Sequence, residues 1–157
     1  MTHLTAAWAV TSGALSLEGA ISVSEEAMER GGLAGRTVEV PRGHVDDPAY
    51  QAAIAPLNDY VRRVTGRDHI RIYTSAYTLR AEGDPIALTD GMNYIIVRPR
   101  TNEMTILHEC AHIICATPEG EGHSRRFAET ARDLYSRYIG PEAGAQFWSI
   151  LAMGQYV

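Results

Sequence analysis

The sequence predicts one α+β domain, on three observations. Turn-bounded, β-branched runs sit in the middle of the chain. The last third has helical periodicity punctuated by Pro and Gly. The 157 residues, 45% of them apolar, suffice for one hydrophobic core but not two. The expected architecture is a small mixed or antiparallel sheet packed on one buried helix, with two further C-terminal helices, in a single domain spanning 1–157.

The elements follow in order. Met1 to Leu17 is uncharged but rich in Thr, Ser, Gly and Ala, and reads as a loosely ordered or helical start. It is too short and too polar for a membrane span and lacks the basic start of a signal peptide. Ser22 to Arg30 reads as a helix, with Ser22 and Glu25 as a capping box and Gly31-Gly32 as its stop. Arg36 to Val40 alternates and ends at Pro41, as a strand does. Asp47 to Thr65 has helical spacing (Tyr50, Ile54, Leu57, Val61, Val64), closes at Gly66, and should kink or divide at Pro56.

A β-rich section comes next. His69 to Thr74 alternates, and Tyr77 to Ala81 is a candidate partner for it. Gly83-Asp84-Pro85 and Asp90-Gly91 are turn signals. Met92 to Val97 is an apolar strand ended by Pro99. Thr101-Asn102-Glu103 then caps a helix running to about Ala116. Pro118 to Gly122 breaks the chain, Ser124 to Tyr138 is a second helix, and Pro141 to Ala152 a third.

Composition narrows the function classes. A net charge of −5 argues against duplex binding, which needs a basic face to neutralise phosphates. Cys110 and Cys115 lie five positions apart, about 7.5 Å along one helix, too far for a disulfide within it. Two free thiols point to a reducing compartment, the cytoplasm.

The chemistry concentrates in "TILHECAHIICATPEGEGHSRRF", Thr105 to Phe127. His108 and His112 are four apart, so on a helix they share a face and can send both imidazoles to one point. Glu109 lies about 100° around from His108, placed to act as a base without ligating. Two nitrogen ligands beside a carboxylate base make a zinc-hydrolase motif. The bare pattern arises in roughly 2% of shuffled chains of this composition, so its setting has to carry weight. Ile106, Cys110, Ala111, Ile113 and Ile114 give that setting: the helix is apolar, and histidines within it need partners.

A catalytic zinc takes three protein ligands and keeps a place for water. His123, just past the Pro/Gly turn, is the first candidate for the third. Glu129 is the rival, through a Glu-x-x-x-Asp pair with Asp133. The same pair would serve as a solvated helix face among Arg125, Arg126 and Arg132. The metzincin pattern is absent, since Cys115 and Pro118 stand where its glycine and third histidine would be. Cys115 reads as a buried thiol. His3, His44 and His69 have no partner pattern.

"TILHECAH", a short stretch and then "GHSRRF" resembles the SprT/Spartan-like zincin metalloproteases, and the layout is similar to that of small metallohydrolases of actinobacteria and their phages. The resemblance covers Met104 to Asp133. It implies a minimal zincin-like fold, with His108, His112 and His123 as zinc ligands, Glu109 as the general base and Phe127 packing behind the third ligand. Ser124 departs from the family's glycine after the third histidine, and no cysteine-rich zinc ribbon follows.

The expected function is therefore a zinc metallopeptidase acting on a protein or peptide. The Met92–Val97 strand or Tyr77–Ala81 would align an extended substrate. Tyr73, Tyr94, Arg125 and Arg126 are candidates for oxyanion stabilisation. The same chemistry restricted to one partner, such as a repressor, would make a regulatory peptidase. The competing expectation is a non-catalytic binding protein that uses zinc to stabilise a zincin frame; a closed site, with Cys115 or Glu129 as fourth ligand, would mark it.

Overall fold

The computed structural model of the chain describes residues 15–74, 87–116 and 122–157. Among these are five helices and five short strands: α1 Leu17–Arg30, β1 Thr37–Glu39, α2 Pro48–Thr65, β2 Arg71–Thr74, β3 Ala87–Thr89, β4 Tyr94–Val97, β5 Arg100–Asn102, α3 Glu103–Ile114, α4 Arg125–Tyr138 and α5 Pro141–Met153. The fold class is α+β, as the sequence predicts. The backbone divides into two compact units, Arg36–Ala116 and Met1–Gly35 with Thr117–Val157. Among the described residues, no helix is long and apolar enough to cross a membrane. The Met1–Leu17 start, down to Ala14, and the Tyr77–Ala81 strand lie outside the described residues.

In the unit Arg36–Ala116, β4 is the central strand of a mixed sheet, ordered β2-β4-β3. It pairs parallel to β2 (Arg71↔Tyr94 through Thr74↔Val97) and antiparallel to β3 (Ala87↔Val97 through Thr89↔Ile95). Met92–Val97 therefore cannot present an edge to a substrate, because both sides of the strand are already hydrogen-bonded. Alternation puts Ile72, Ile95 and Val97 into the core, all at 1% exposure or less. Helices α2 and α3 pack on this sheet. Strands β1 and β5 form a separate antiparallel ribbon (Thr37↔Asn102) that leads straight into α3.

Pro56 does not divide α2, which runs unbroken for 18 residues from its Asp47 cap to Gly66. Gly66 ends it in the left-handed region, at φ 69°, donating its N–H to the Arg62 carbonyl.

Asp90 builds the β3–β4 turn. Its Oδ1 accepts from the backbone N–H groups of Met92 (2.9 Å), Asn93 (2.7 Å) and Tyr94 (3.2 Å), and its Oδ2 accepts from Asn93 Nδ2 (3.0 Å). Partial burial alone would raise the Asp90 pKa, but the donors from Asn93, Met92 and Tyr94 outweigh it and hold the pKa below the ordinary aspartate value. A depressed folded pKa gives stability that is present above the unfolded value, about 3.9, and lost as pH falls through the lower folded one. The amides of Met92, Asn93 and Tyr94 should therefore lose hydrogen-exchange protection below about pH 4. Protection unchanged down to about pH 2.5 would contradict this account.

In the other unit, α1 begins earlier than Ser22. Ser16 is the cap, its Oγ accepting from Gly19 N at 3.1 Å, and Ala20, Ile21 and Met28 are buried at 1% exposure or less. The apparent capping box at Ser22 is overridden because Glu25 points into the core, where the Tyr135 hydroxyl donates a hydrogen bond to it. Tyr135 also meets Phe147 edge-on at 5.2 Å, joining α4 to α5.

Gly144 lets these two helices approach closely. A Cβ there would lie 2.7 Å from the Arg132 carbonyl oxygen and 1.7 Å from Ser136 Oγ. The Ser136 side chain can rotate away, but the carbonyl cannot. Gly144→Ala should lower the unfolding free energy by about 1–2 kcal/mol in a urea titration, despite alanine's helix-propensity advantage of up to about 1 kcal/mol. Equal or greater stability would show that the helices separate at no cost.

Candidate metal centre

Helix α3 is set by its first residues. Asn102 caps it, Oδ1 accepting from Thr105 N at 2.9 Å. Glu103, only 6% exposed, accepts from Arg36 N (2.9 Å), Arg36 Nε (3.0 Å) and Tyr60 OH (3.4 Å). These bonds tie the start of the helix to β1's approach and to α2. Along its length Ile106, Leu107, Cys110, Ala111 and Ile113 are fully buried. Burying a side chain such as Ile106 or Leu107 contributes roughly 2 kcal/mol. The helix is thus fixed in rotation, and with it the direction of His108 and His112.

Those two imidazoles meet at 5.0 Å between ring centres, in an edge-to-face arrangement. His123 precedes Ser124, which caps α4 by accepting from Phe127 N at 3.1 Å. The wholly buried Phe127 ring packs edge-on against the His123 ring at 4.9 Å. One ligand atom from each of His108, His112 and His123 lies within 4.8 Å of the others, and all three residues are half-buried. Nitrogens on one tetrahedral ion, bound at about 2.1 Å, sit about 3.4 Å apart, so closing the set takes about 0.8 Å at each ring nitrogen. Three neutral imidazoles are a donor set that suits zinc and neighbouring transition metals. These histidines are close enough together to bind a metal ion.

The other candidates are placed as follows. Glu109 is 7% exposed and is not part of the ligating group. Glu129 is turned to Arg125, 3.2 Å away, and Cys115 is a buried thiol at the end of α3; neither joins the group among the described residues. Burial, reinforced by Glu109, raises the Cys110 pKa far above its ordinary value, so that thiol stays neutral. Tyr73 and Tyr94 lie 5.9 Å apart with their rings tilted by 43°, on the sheet face opposite the buried Ile72 and Ile95. His69 is bonded to the Met92 carbonyl and His44 to Asp46 N.

One residue at the site was not legible in the sequence. Glu18, in the first turn of α1, places Oε1 3.3 Å from His123 Nδ1. A carboxylate on one ring nitrogen fixes the tautomer and leaves the other nitrogen to bind. Glu18 is far from His123 in sequence and looks like an ordinary first-turn acid, so no local signal marks it.

The chain matches no protein-family model, no curated protein and no solved structure.

Proposed function

We propose that the protein is a zinc-dependent hydrolase, a metallopeptidase of zincin type, in which His108, His112 and His123 hold the ion. The observation that carries this reading is the convergence of three imidazole ligand atoms beside a buried, non-ligating carboxylate, Glu109. Zinc bound there would supply Lewis acidity, polarising a scissile carbonyl and making water nucleophilic near neutral pH.

The chain's own groups do the rest. Glu109 takes a proton from the attacking water and delivers it to the leaving amine. Glu18 holds the His123 ring in its binding tautomer. Strand β3 packs on α3 and has no partner on its outer side among the described residues, so an extended peptide aligns along it.

The test is metal analysis followed by an assay on a panel of denatured proteins. One zinc per chain is expected, with cleavage that chelation abolishes and added zinc restores. A zinc-loaded protein that cleaves none of the panel would overturn the peptidase reading.

A further inference from the structure

A second site lies within Arg36–Ala116, at the outer edge of β2. That edge does not accept another strand. Asn58 Oδ1 accepts from Ile72 N at 2.9 Å and Arg62 Nε donates to the Ile70 carbonyl at 2.8 Å, so side chains from α2 occupy the backbone groups that face outward. In front of the closed edge is a cleft of about 490 Å³, bounded by α2, β2 and the loop at 41–45. This volume falls within the range of small-molecule sites.

Its lining is amphipathic. Ile54 and Ile72 form an apolar floor, and the rings of Tyr50 and Tyr73 stand at the wall. The loop backbone presses on Tyr50: a Cβ at Gly43 would lie 2.7 Å from Tyr50 Cβ, which fixes the ring. The charge balance runs against the rest of the chain. Arg42, Arg62 and Arg71 line the cleft against a single carboxylate, Asp59, in a protein of net charge −5. Thr74 adds a buried hydroxyl with no hydrogen-bond partner among the described residues. Burial raises the pKa of both phenols, so Tyr50 and Tyr73 are neutral donors at pH 7.

We propose that this cleft binds a small organic anion, a carboxylate or phosphate monoester on a flat apolar body, with Arg42 and Arg71 holding the anionic group and Tyr50 and Tyr73 flanking the body. Guanidinium forks match the oxygens of either head group, and a flat body fits between aromatic walls. The site is separate from the three histidines and does not depend on their chemistry.

Isothermal titration of the full chain with benzoate, phenyl phosphate and inorganic phosphate tests the proposal. Saturable binding of benzoate or phenyl phosphate is expected, and the tighter of the two names the head group. The double variant Arg42→Gln/Arg71→Gln should weaken it at least about tenfold. Both side chains are exposed, so circular dichroism and metal content should match the wild type. Inorganic phosphate should bind at least about tenfold more weakly than phenyl phosphate, since it lacks the apolar body. Chelating the metal should change nothing. No saturable binding by the wild type, unchanged affinity in the double variant, or equal affinity for inorganic phosphate would each overturn it. Binding that disappears on chelation would also overturn it, by assigning the anion to the histidine centre.

Discussion

On the metallopeptidase reading proposed above, Glu109→Gln is expected to keep the metal and the fold while reducing peptide hydrolysis by about 10²–10⁴-fold, the contribution of a positioned general base. The substitution isolates proton transfer. Glutamine has nearly the same volume and can still accept a hydrogen bond, so the buried position on α3 is not emptied. It cannot take up a proton at neutral pH. Glu109 is outside the ligating group, so the variant should bind metal as the wild type does. Metal content and turnover, measured on the same preparations, separate the possible outcomes. Wild-type cleavage by a metal-loaded variant would remove Glu109 from the reaction. Metal in both proteins and cleavage by neither would favour the non-catalytic reading, with the ion serving to stabilise the fold.

Legibility from sequence followed the range of the interactions. Helix α3 was legible because its signals are local: an Asn102 cap, a first-turn Glu103 and histidines four apart. The Gly140–Pro141 junction announced the start of α5 for the same reason. Strands β3 and β5 were missed. Each has three residues, and Ala-Leu-Thr or Arg-Thr-Asn carries no alternation to read; only pairing with β4 and β1 makes them strands. The start of α1 was misplaced because Ser22 and Glu25 imitate a capping box, while Tyr135, distant in sequence, claims the Glu25 carboxylate. Pro56 in the sequence predicts a kink or a division of α2, but the helix is not divided, because tertiary packing of Ile54, Val61 and Val64 outweighs the loss of one helical hydrogen bond. At the site, His108 and His112 followed from spacing alone. His123 depended on how the chain returns after the turn, and Glu18 on a contact with no sequence signature.

Removing the proposed metal ligands one at a time should give a graded series. His108→Ala, His112→Ala and His123→Ala should each weaken metal binding by more than about 100-fold. That figure is the upper end of what losing an outer partner costs, and losing a ligand itself costs more. Glu18→Gln should weaken it by about tenfold, the lower end of that range, because the Glu18 side chain is 73% exposed and water competes for His123 Nδ1. Glu129→Ala should leave affinity unchanged, since that carboxylate pairs with Arg125 on an exposed helix face. Competition against a chromophoric chelator reads all five on one scale. The informative comparison is between His123 and Glu129. If Glu129→Ala released the metal and His123→Ala retained it, the third ligand would be the carboxylate, and the Glu18–His123 contact would be an ordinary surface pair. If the three histidine variants all lose the ion, the third ligand comes from the start of α4, and a tenfold loss in Glu18→Gln would add Glu18 to the site as the residue that orients it.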